Sequence, residues 1–452
     1  MAVTTTTPPQ WSGVHRLPGL EGRIPKSRRQ AIVLTTFGSL GDLYPILSVA
    51  RALEAEGVEV RLALPPDDCD MARRWGLLAT PVGPTEAEVL EPLGRTREDV
   101  AADVLRDLGP PLRDLALPIL PRVLDDLQPL CDGAALVAGT FLALAGPMAA
   151  ERAGLPYVPI ALQPYLTLSA EDPPTGRGFG LMIHEPRRKA AVLWNRQVIG
   201  LVHGLFRLRH GKAFNALRVR SGLLPADETP VLQQTGDIPM TLALWSERFA
   251  PLFPDRAGQW RPTGFPRAPE GTLPTGAQAW LDAGPPPLVV TLGSIGQTIA
   301  GPRFWPEAVA LARALGLRAV LLHGKAEVPK GPDVLALPYG AHAHLFPQAA
   351  AILHHGGIGT TAEALRAGKP QLVVPIGGDQ FDNAARLERL GFGTTLPARR
   401  FTAARATRRL RALLDRIDYP ALGALADQIQ AEDGARVAAL HLIRAAGISA
   451  PP

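Results

Sequence analysis

An α/β fold of two Rossmann-like domains facing a central cleft is what the 452-residue sequence predicts, and three features predict it. Strand and helix patterns alternate in two separate runs, one from residue 30 to 162 and one from 286 to 391. Apolar stretches in both runs lead into Gly-rich turns and then helices, the signature of a parallel βαβ unit. Between the runs lies GQWRPTGFPRAPEG, residues 258–271, as dense in turn formers as a domain boundary is.

The elements follow in order. QAIVLTT (30–36) is a β-branched apolar run suited to a buried strand. After a Gly-rich turn, Pro45 opens a helix that runs through Leu53 and ends at Gly57. VEVRLAL (58–64) reads as the next strand. The uncharged stretch 134–150 is short for a membrane span and is interrupted by Gly139, Thr140, Gly146 and Pro147. It reads as a strand, a turn and a buried helix, with a further strand at 157–162. Residues 166–230 look less regular and are rich in Arg, Pro and Gly. In the second run PPLVVTL is a strand, WPEAVALARAL a helix closed by Gly316, and LRAVLLH a strand. AAILHH (350–355) and PQLVVPI are strands; GTTAEALRA and NAARLERL are helices ended by Gly368 and Gly391. Domain limits follow at 1–28 for a flexible arm, 29–262 and 263–430 for the two α/β units, and 431–452 for a C-terminal helical segment.

Composition narrows the class. With 46% hydrophobic and 20% charged residues the chain has ample apolar surface for a core, which excludes a disordered protein. A net charge of +5 on so long a chain speaks against a nucleic-acid partner. Two cysteines, Cys69 and Cys131, make neither a disulfide framework nor a zinc site, and a cytoplasmic setting fits. The first 30 residues lack the apolar core of a secretory signal.

The densest chemistry is HHGGIGTTAEALRAGKP (354–370) followed by VVPIGGDQFDN (373–383). His354 and His355 end a strand. Gly356, Gly357 and Gly359 bring backbone N–H groups close to a ligand, and Thr360 begins a helix whose N-terminus suits a phosphate or diphosphate. His355 beside that turn is placed for a charge-assisted bond to the same phosphate. Glu363, one turn into the helix, suits ribose hydroxyls. Asp379 and Gln380 follow the next strand and suit a polyol such as a sugar.

The segment 354–391 resembles the donor-binding signature of family 1 nucleotide-sugar glycosyltransferases of the GT-B fold. Within that family the chain is most similar to bacterial rhamnolipid-type rhamnosyltransferases and related sterol and antibiotic branches. The likeness extends to FGSLGDLYP (37–45), to TGFP (263–266) and to LVVTLGS (288–294), and so covers most of the chain from about residue 30. It implies a donor diphosphate held by His355, Gly357, Gly359, Thr360 and Ser294, ribose by Glu363, and sugar hydroxyls by Asp379 and Gln380. It implies inverting, metal-independent transfer of rhamnose or glucose to a hydroxyl of a lipophilic small molecule or lipid, with no cofactor. It implies a C-terminal helix that crosses back to the first domain. Plant members carry a Trp that stacks on the base; Leu337 stands there here, which leaves base recognition to Tyr339 and backbone groups, and the nucleotide open between dTDP and UDP.

Removing the acceptor proton needs a base at a strand end facing the donor. Asp42, in the loop that holds Gly38, Ser39 and Gly41, is the residue the resemblance assigns. On residue type alone it is equally a cap for the helix at Pro45. The rival classes are another GT-B enzyme such as an epimerase or hydrolase, and a non-catalytic nucleotide-sugar binder. Asp68-Cys69-Asp70 matches a metal-binding DxD but reads as structural. Asp67 lies at a second-strand end, where a dinucleotide enzyme holds ribose, but GSLGD lacks the three-glycine spacing of that fingerprint, which makes an oxidoreductase the lesser alternative. His323 reads as a core or rim residue; His184, His203 and His210 read as surface residues. The apolar and cationic segment 181–220 suits a lipophilic or anionic acceptor, peripheral docking at the inner membrane face, or simple solvation, and the sequence leaves these open.

Overall fold

The computed structural model describes residues 31–176, 178–226, 238–267, 271–293 and 301–448. The N-terminal arm and Ser294 lie outside the described residues. Among the described residues the first domain holds seven strands: β1 Ala31–Thr35, β2 Glu59–Leu64, β3 Ala79–Pro81, β4 Ala134–Thr140, β5 Tyr157–Ala161, β6 Thr241–Ala243 and β7 Trp260–Pro262. The second, among the described residues, holds six: β8 Leu288–Thr291, β9 Ala319–Leu322, β10 Val334–Leu337, β11 Ala351–His354, β12 Gln371–Val373 and β13 Gly393–Thr395. The sheet orders are β3-β2-β1-β4-β5-β6-β7 and β10-β9-β8-β11-β12-β13, parallel at every pairing. Each order reverses direction once, between β1 and β4 and between β8 and β11. Those switch points are where open parallel sheets leave a crevice for ligand.

The longer helices are α1 Leu40–Ala55, α2 Arg97–Arg106, α3 Leu117–Leu127, α4 Ala145–Ala153, α5 Lys189–Arg220, α6 Phe304–Ala314, α7 Ile358–Arg366, α8 Gln380–Leu390, α9 Ala403–Leu414, α10 Tyr419–Gln430 and α11 Gly434–Ala446. Both faces of each sheet are covered, which is why the central strands read as unbroken apolar runs rather than alternating ones. Ile32 and Leu34 of β1 pack against Leu43, Ile46 and Leu47 of α1 and against Leu442 and Ile443 of α11. Val33 on the opposite face meets Leu120, Val123 and Leu124 of α3 and Phe214 and Leu217 of α5. Val290 and Leu353 pack against α6 and α9. A further cluster joins the domains: Trp245, Trp260 and Phe265 lie with Ile358, Leu365 and Leu387.

Two expectations are corrected. The first helix starts at Leu40, not Pro45, because Ser39 caps it and accepts from the Gly41 N–H at 3.2 Å. Pro45 therefore sits inside α1. Segment 166–230 is not irregular at its centre: Lys189–Arg220 is one 32-residue helix. It contains Gly200, Gly204 and Gly211 but no proline, so the ladder of backbone bonds is never interrupted.

Candidate active site in the cleft

Asp42 is the third residue of α1, held by a reciprocal cap. The Ser39 N–H donates to Asp42 Oδ2 at 2.8 Å and the Ser39 hydroxyl donates to the same oxygen at 3.0 Å. Folding the carboxylate back in this way needs room over Gly38. Gly38 has φ +139°, and a Cβ there would collide with Asp42 Oδ2. Asp42 is thus neither the cap residue itself nor free of capping: it completes the box and leaves Oδ1 uncommitted to Ser39. Burial raises its carboxyl above the ordinary range, against the Ser39 bonds that favour the charged form.

In the second domain β11 ends at His354. Its Nδ1 accepts from the Gly356 N–H at 3.1 Å, so Nε2 carries the proton and donates to Gln371 Oε1 at 2.9 Å. His354 is a buried loop anchor, neutral because burial pushes its pKa down to about 3. His355 has the opposite character. Its ring lies between two glycines: a Cβ on Gly293 would come within 2.7 Å of Cε1, and one on Gly357 within 2.5 Å of Nε2. Its buried Nδ1 has no hydrogen-bond partner among the described residues. Burial, with His342 adding, pushes its pKa down to about 4. The ring is therefore neutral near pH 7, and the charge that assists a bond to phosphate comes from the phosphate.

The helix after this turn, α7, begins at Ile358 rather than at Thr360. Gly357 is its cap and supplies no side chain, so its first N–H groups face the cleft without a side-chain cap. Gly359 is exposed and Thr360 is buried in the first turn. Glu363 is buried and paired with Arg366, which also donates to the Phe265 carbonyl at 3.2 Å.

Asp379 and Gln380 open α8 after β12. Gln380 Oε1 accepts from the N–H groups of Ile376 at 2.8 Å and Gly377 at 3.2 Å, which closes the loop. The side-chain amide of Asn383 donates to Asp379 Oδ2 at 2.8 Å and to the Gly356 carbonyl at 2.9 Å, tying the two loops of the site together. Asn383 was not singled out by the sequence reading; its position one turn after Asp379 on the same helix was the available signal. Burial pushes Asp379 up to about 7; Asn383 opposes this, and the carboxylates of Asp42 and Asp382 add to it. Asp42 and Asp379 thus come from different domains and feel each other across the cleft.

Other residues close the cleft. The Gly378 N–H donates to the Leu105 carbonyl at 3.2 Å. The Thr175 N–H donates to Asp382 Oδ1 at 2.9 Å, and Arg386 joins Asp382 at 2.7 Å to Asp172 at 2.6 Å. Tyr165, on the loop after β5, lies beside Gly176 and the Gly378 carbonyl, and nothing in its sequence context marked it. Tyr339 is exposed and Leu337 is buried at the end of β10. Tyr44, facing Tyr339, stacks on Trp75 with centroids 5.5 Å apart, and burial with the nearby Tyr339 pushes its phenol up to about 12. Among the residues set aside, Asp70 pairs with Arg73 at 2.6 Å and the Asp67 carboxylate accepts from the Glu86 N–H at 2.7 Å. The His323 ring bonds the Ala326 carbonyl at 2.7 Å. Of the three histidines read as surface residues only His184 is exposed. His203 buries its Nε2, and His210 is buried against Phe206, because positions seven apart share the inward face of α5.

Comparison with known proteins adds to this geometry. Residues 319–441 match the family model described as the C-terminal domain of erythromycin biosynthesis protein CIII-like proteins. The chain is 31% identical over 378 residues to the vancomycin aglycone glucosyltransferase of Amycolatopsis orientalis, an alignment that covers 80% of this chain and 84% of that one. It is 31% identical over 394 residues to the O-mycaminosyltylonolide 6-deoxyallosyltransferase of Streptomyces fradiae, with 80% and 84% covered. Among solved structures, the glycosyltransferase VinC in complex with dTDP superposes with a TM-score of 0.63 at 25% identity, covering 92% of this chain and 99% of that one.

Proposed function

The chain belongs to the family 1 nucleotide-sugar glycosyltransferases of the GT-B fold, and from that premise we propose that it moves rhamnose or glucose from a nucleoside-diphosphate donor to a hydroxyl of a lipophilic small molecule or lipid, with inversion at the anomeric carbon. The observation that supports the reading is that Asn383 ties Asp379 to the Gly356 turn leading into α7, and that Asp42 of the other domain lies near enough for its charge to raise the Asp379 carboxyl. The acceptor oxygen attacks the anomeric carbon, the bond from that carbon to the diphosphate oxygen breaks, and the acceptor proton passes to Asp42. Asp42 is raised but not tied up, since its cap bonds run to a single carboxylate oxygen.

The donor lies in domain 263–430 and the acceptor in domain 29–262, while 431–452 returns to the first domain through α11. The N–H groups of Gly359 and Thr360, with the ring of His355 and with Ser294, hold the diphosphate and meet the charge that grows on it as it leaves. No metal is needed for that charge in this scheme. Glu363, oriented by Arg366, accepts from ribose. Asp379 takes sugar hydroxyls. Gln380 offers only its amide nitrogen, because its oxygen closes the loop. The dTDP bound to VinC supports a thymidine nucleotide, and the 6-deoxyallosyl transfer named for the Streptomyces fradiae relative supports a deoxyhexose; UDP-glucose is the alternative. A cytoplasmic setting belongs to the same reading, with Cys69 and Cys131 both free and buried.

The test is a thermal-shift panel of dTDP, UDP and their sugars. A ligand present at 100 times its Kd adds about 2.7 kcal/mol, well within detection. Absence of a shift with every nucleoside diphosphate sinks the donor assignment.

A further inference from the structure

Helix α5 has two apolar faces. Ile199, Phe214 and Leu217 point into the molecule, with His210 among them. On the opposite side Trp194, Leu201, Leu205, Leu208 and Val219 are all exposed, from 50% to 81%. Their spacing of seven, four, three and eleven residues keeps them on one line along the helix, a stripe of about 38 Å at 1.5 Å per residue. The preceding loop extends the stripe. The Trp194 indole N–H donates to the Leu181 carbonyl at 2.7 Å, and Asn195 bonds the backbone of Ile183 at 2.8 and 2.9 Å. Leu181 and Ile183 are therefore stapled beside Trp194, exposed by 66% and 44%. Contiguous exposed apolar surface of this extent marks a docking face rather than ordinary surface.

Charge says what docks there. Lys189–Arg220 carries seven Lys and Arg and no Asp or Glu, and Arg187 and Arg188 precede it. Arg209, Lys212 and Arg220 are exposed beside or within the stripe. A second copy of this helix would set cation against cation, so the occupant is anionic. The exposed side chains differ in length and stand in one line along a single helix. A fluid bilayer fits such a stripe without needing matched holes.

We infer that this face of α5 and the loop at 181–183 dock on a membrane surface carrying anionic lipid headgroups, with leucines and Trp194 at the level of the acyl boundary and the cations among the headgroups. This goes beyond the transfer reaction and does not depend on it. No helix among the described residues is long and apolar enough to cross a membrane, so the docking is peripheral. The inner end of α5 packs Val198 and Ile199 on Leu168, Phe179 and Met182, in the loop that reaches α8 of the donor domain. Docking would thus hold the cleft wall close to the bilayer, where a lipophilic acceptor is concentrated.

The test is co-sedimentation of the full chain with vesicles of phosphatidylglycerol and phosphatidylcholine, against phosphatidylcholine alone, at 0.1 M and 0.5 M NaCl. The expected result is at least tenfold stronger binding to the anionic vesicles at low salt, falling at high salt. Leu201→Gln with Leu205→Gln and Leu208→Gln should abolish that preference while melting temperature and nucleotide affinity stay unchanged, because these leucines are exposed. Arg209→Gln with Lys212→Gln should weaken it severalfold. Equal binding to both vesicles, or full binding by the leucine variant, overturns the inference. So does a wild-type dimer in sedimentation velocity that the leucine variant converts to a monomer, or occupation of the face by an acidic protein helix with no vesicle binding.

Discussion

The carboxylate of Asp42 lies over Gly38, so close that a side chain at 38 would have to displace it. Gly38→Ala tests that relationship. Its φ of +139° strains any side chain, and its Cβ would push Oδ2 from the Ser39 bonds. A displacement of about 1 Å costs on the order of 10²-fold in rate when a reacting group is misplaced. The expected outcome is a loss of that size in kcat with nucleotide affinity unchanged by calorimetry. A fall in melting temperature without a fall in kcat would mean that the glycine serves the turn alone.

Asp42→Asn separates base from cap. Asparagine can still accept the Ser39 N–H, so stability should fall by less than about 1 kcal/mol. It cannot take a proton, so transfer should fall by about 10²–10⁴-fold. In the wild type the base must be ionised, and burial raises its pKa; kcat/KM should therefore drop as pH falls, with a midpoint above the ordinary carboxylate range. Substantial transfer by the variant at saturating acceptor rules the base out.

Much of this was legible in the sequence, for a physical reason. The long apolar runs of β1, β4, β8 and β11 are buried on both faces, so composition alone marks them as central parallel strands. Strands β3, β6, β7 and β13 have three residues each and are fixed by pairing with neighbours, not by any pattern of their own. The donor loops were legible because His355, Glu363, Asp379 and Gln380 stand within 26 residues of one another. Asp172 with Arg386 was not: the pair is 214 residues apart, and only the folded chain shows that it crosses between domains. Ser39 was passed over as the helix cap because Pro45 gave a louder start signal.

His355→Ala removes the ring that fills the space between Gly293 and Gly357. The lost bond to a charged phosphate should cost about 1.5–3 kcal/mol of nucleoside-diphosphate affinity. Since Nδ1 has no partner among the described residues, removing it breaks no bond of that nitrogen with them, and the melting temperature of the protein should hold within a few degrees. Unchanged affinity by calorimetry removes His355 from the diphosphate site.

Arg386 is almost wholly buried between Asp382 and Asp172. Arg386→Met leaves Asp382 as an uncompensated buried charge, for which the cost is about 3–5 kcal/mol. Asp172→Asn should cost much less, since Asp382 keeps its partner, but it loosens the tie between domains. The measurement is a denaturant melt of both variants together with acceptor KM. A larger loss of stability in Asp172→Asn than in Arg386→Met would contradict the assignment of Asp382 as the buried partner.

Asp379 gives a prediction whose sign depends on pH. Its carboxyl titrates at about 7 in the folded chain and at about 3.8 when unfolded, chiefly because ionising it in the cleft forfeits water. The folded state therefore holds the proton more tightly. Whatever stability this contributes is fully present below about pH 4 and is lost as pH rises through about 7. Asp379→Asn keeps an oxygen for the Asn383 amide and has no proton to lose. Relative to wild type, its melting temperature should rise steadily between pH 4 and pH 8. Sugar binding should move independently of this. The variant should bind bare dTDP or UDP as wild type does and lose affinity only for the sugar-bearing form, whose hydroxyls donate to the carboxylate. A melting-temperature difference flat across pH 4 to 8 would mean that Asp379 is already ionised in the folded protein at low pH, and equal loss of bare nucleotide would mean that it holds the loop through Asn383 instead of the sugar.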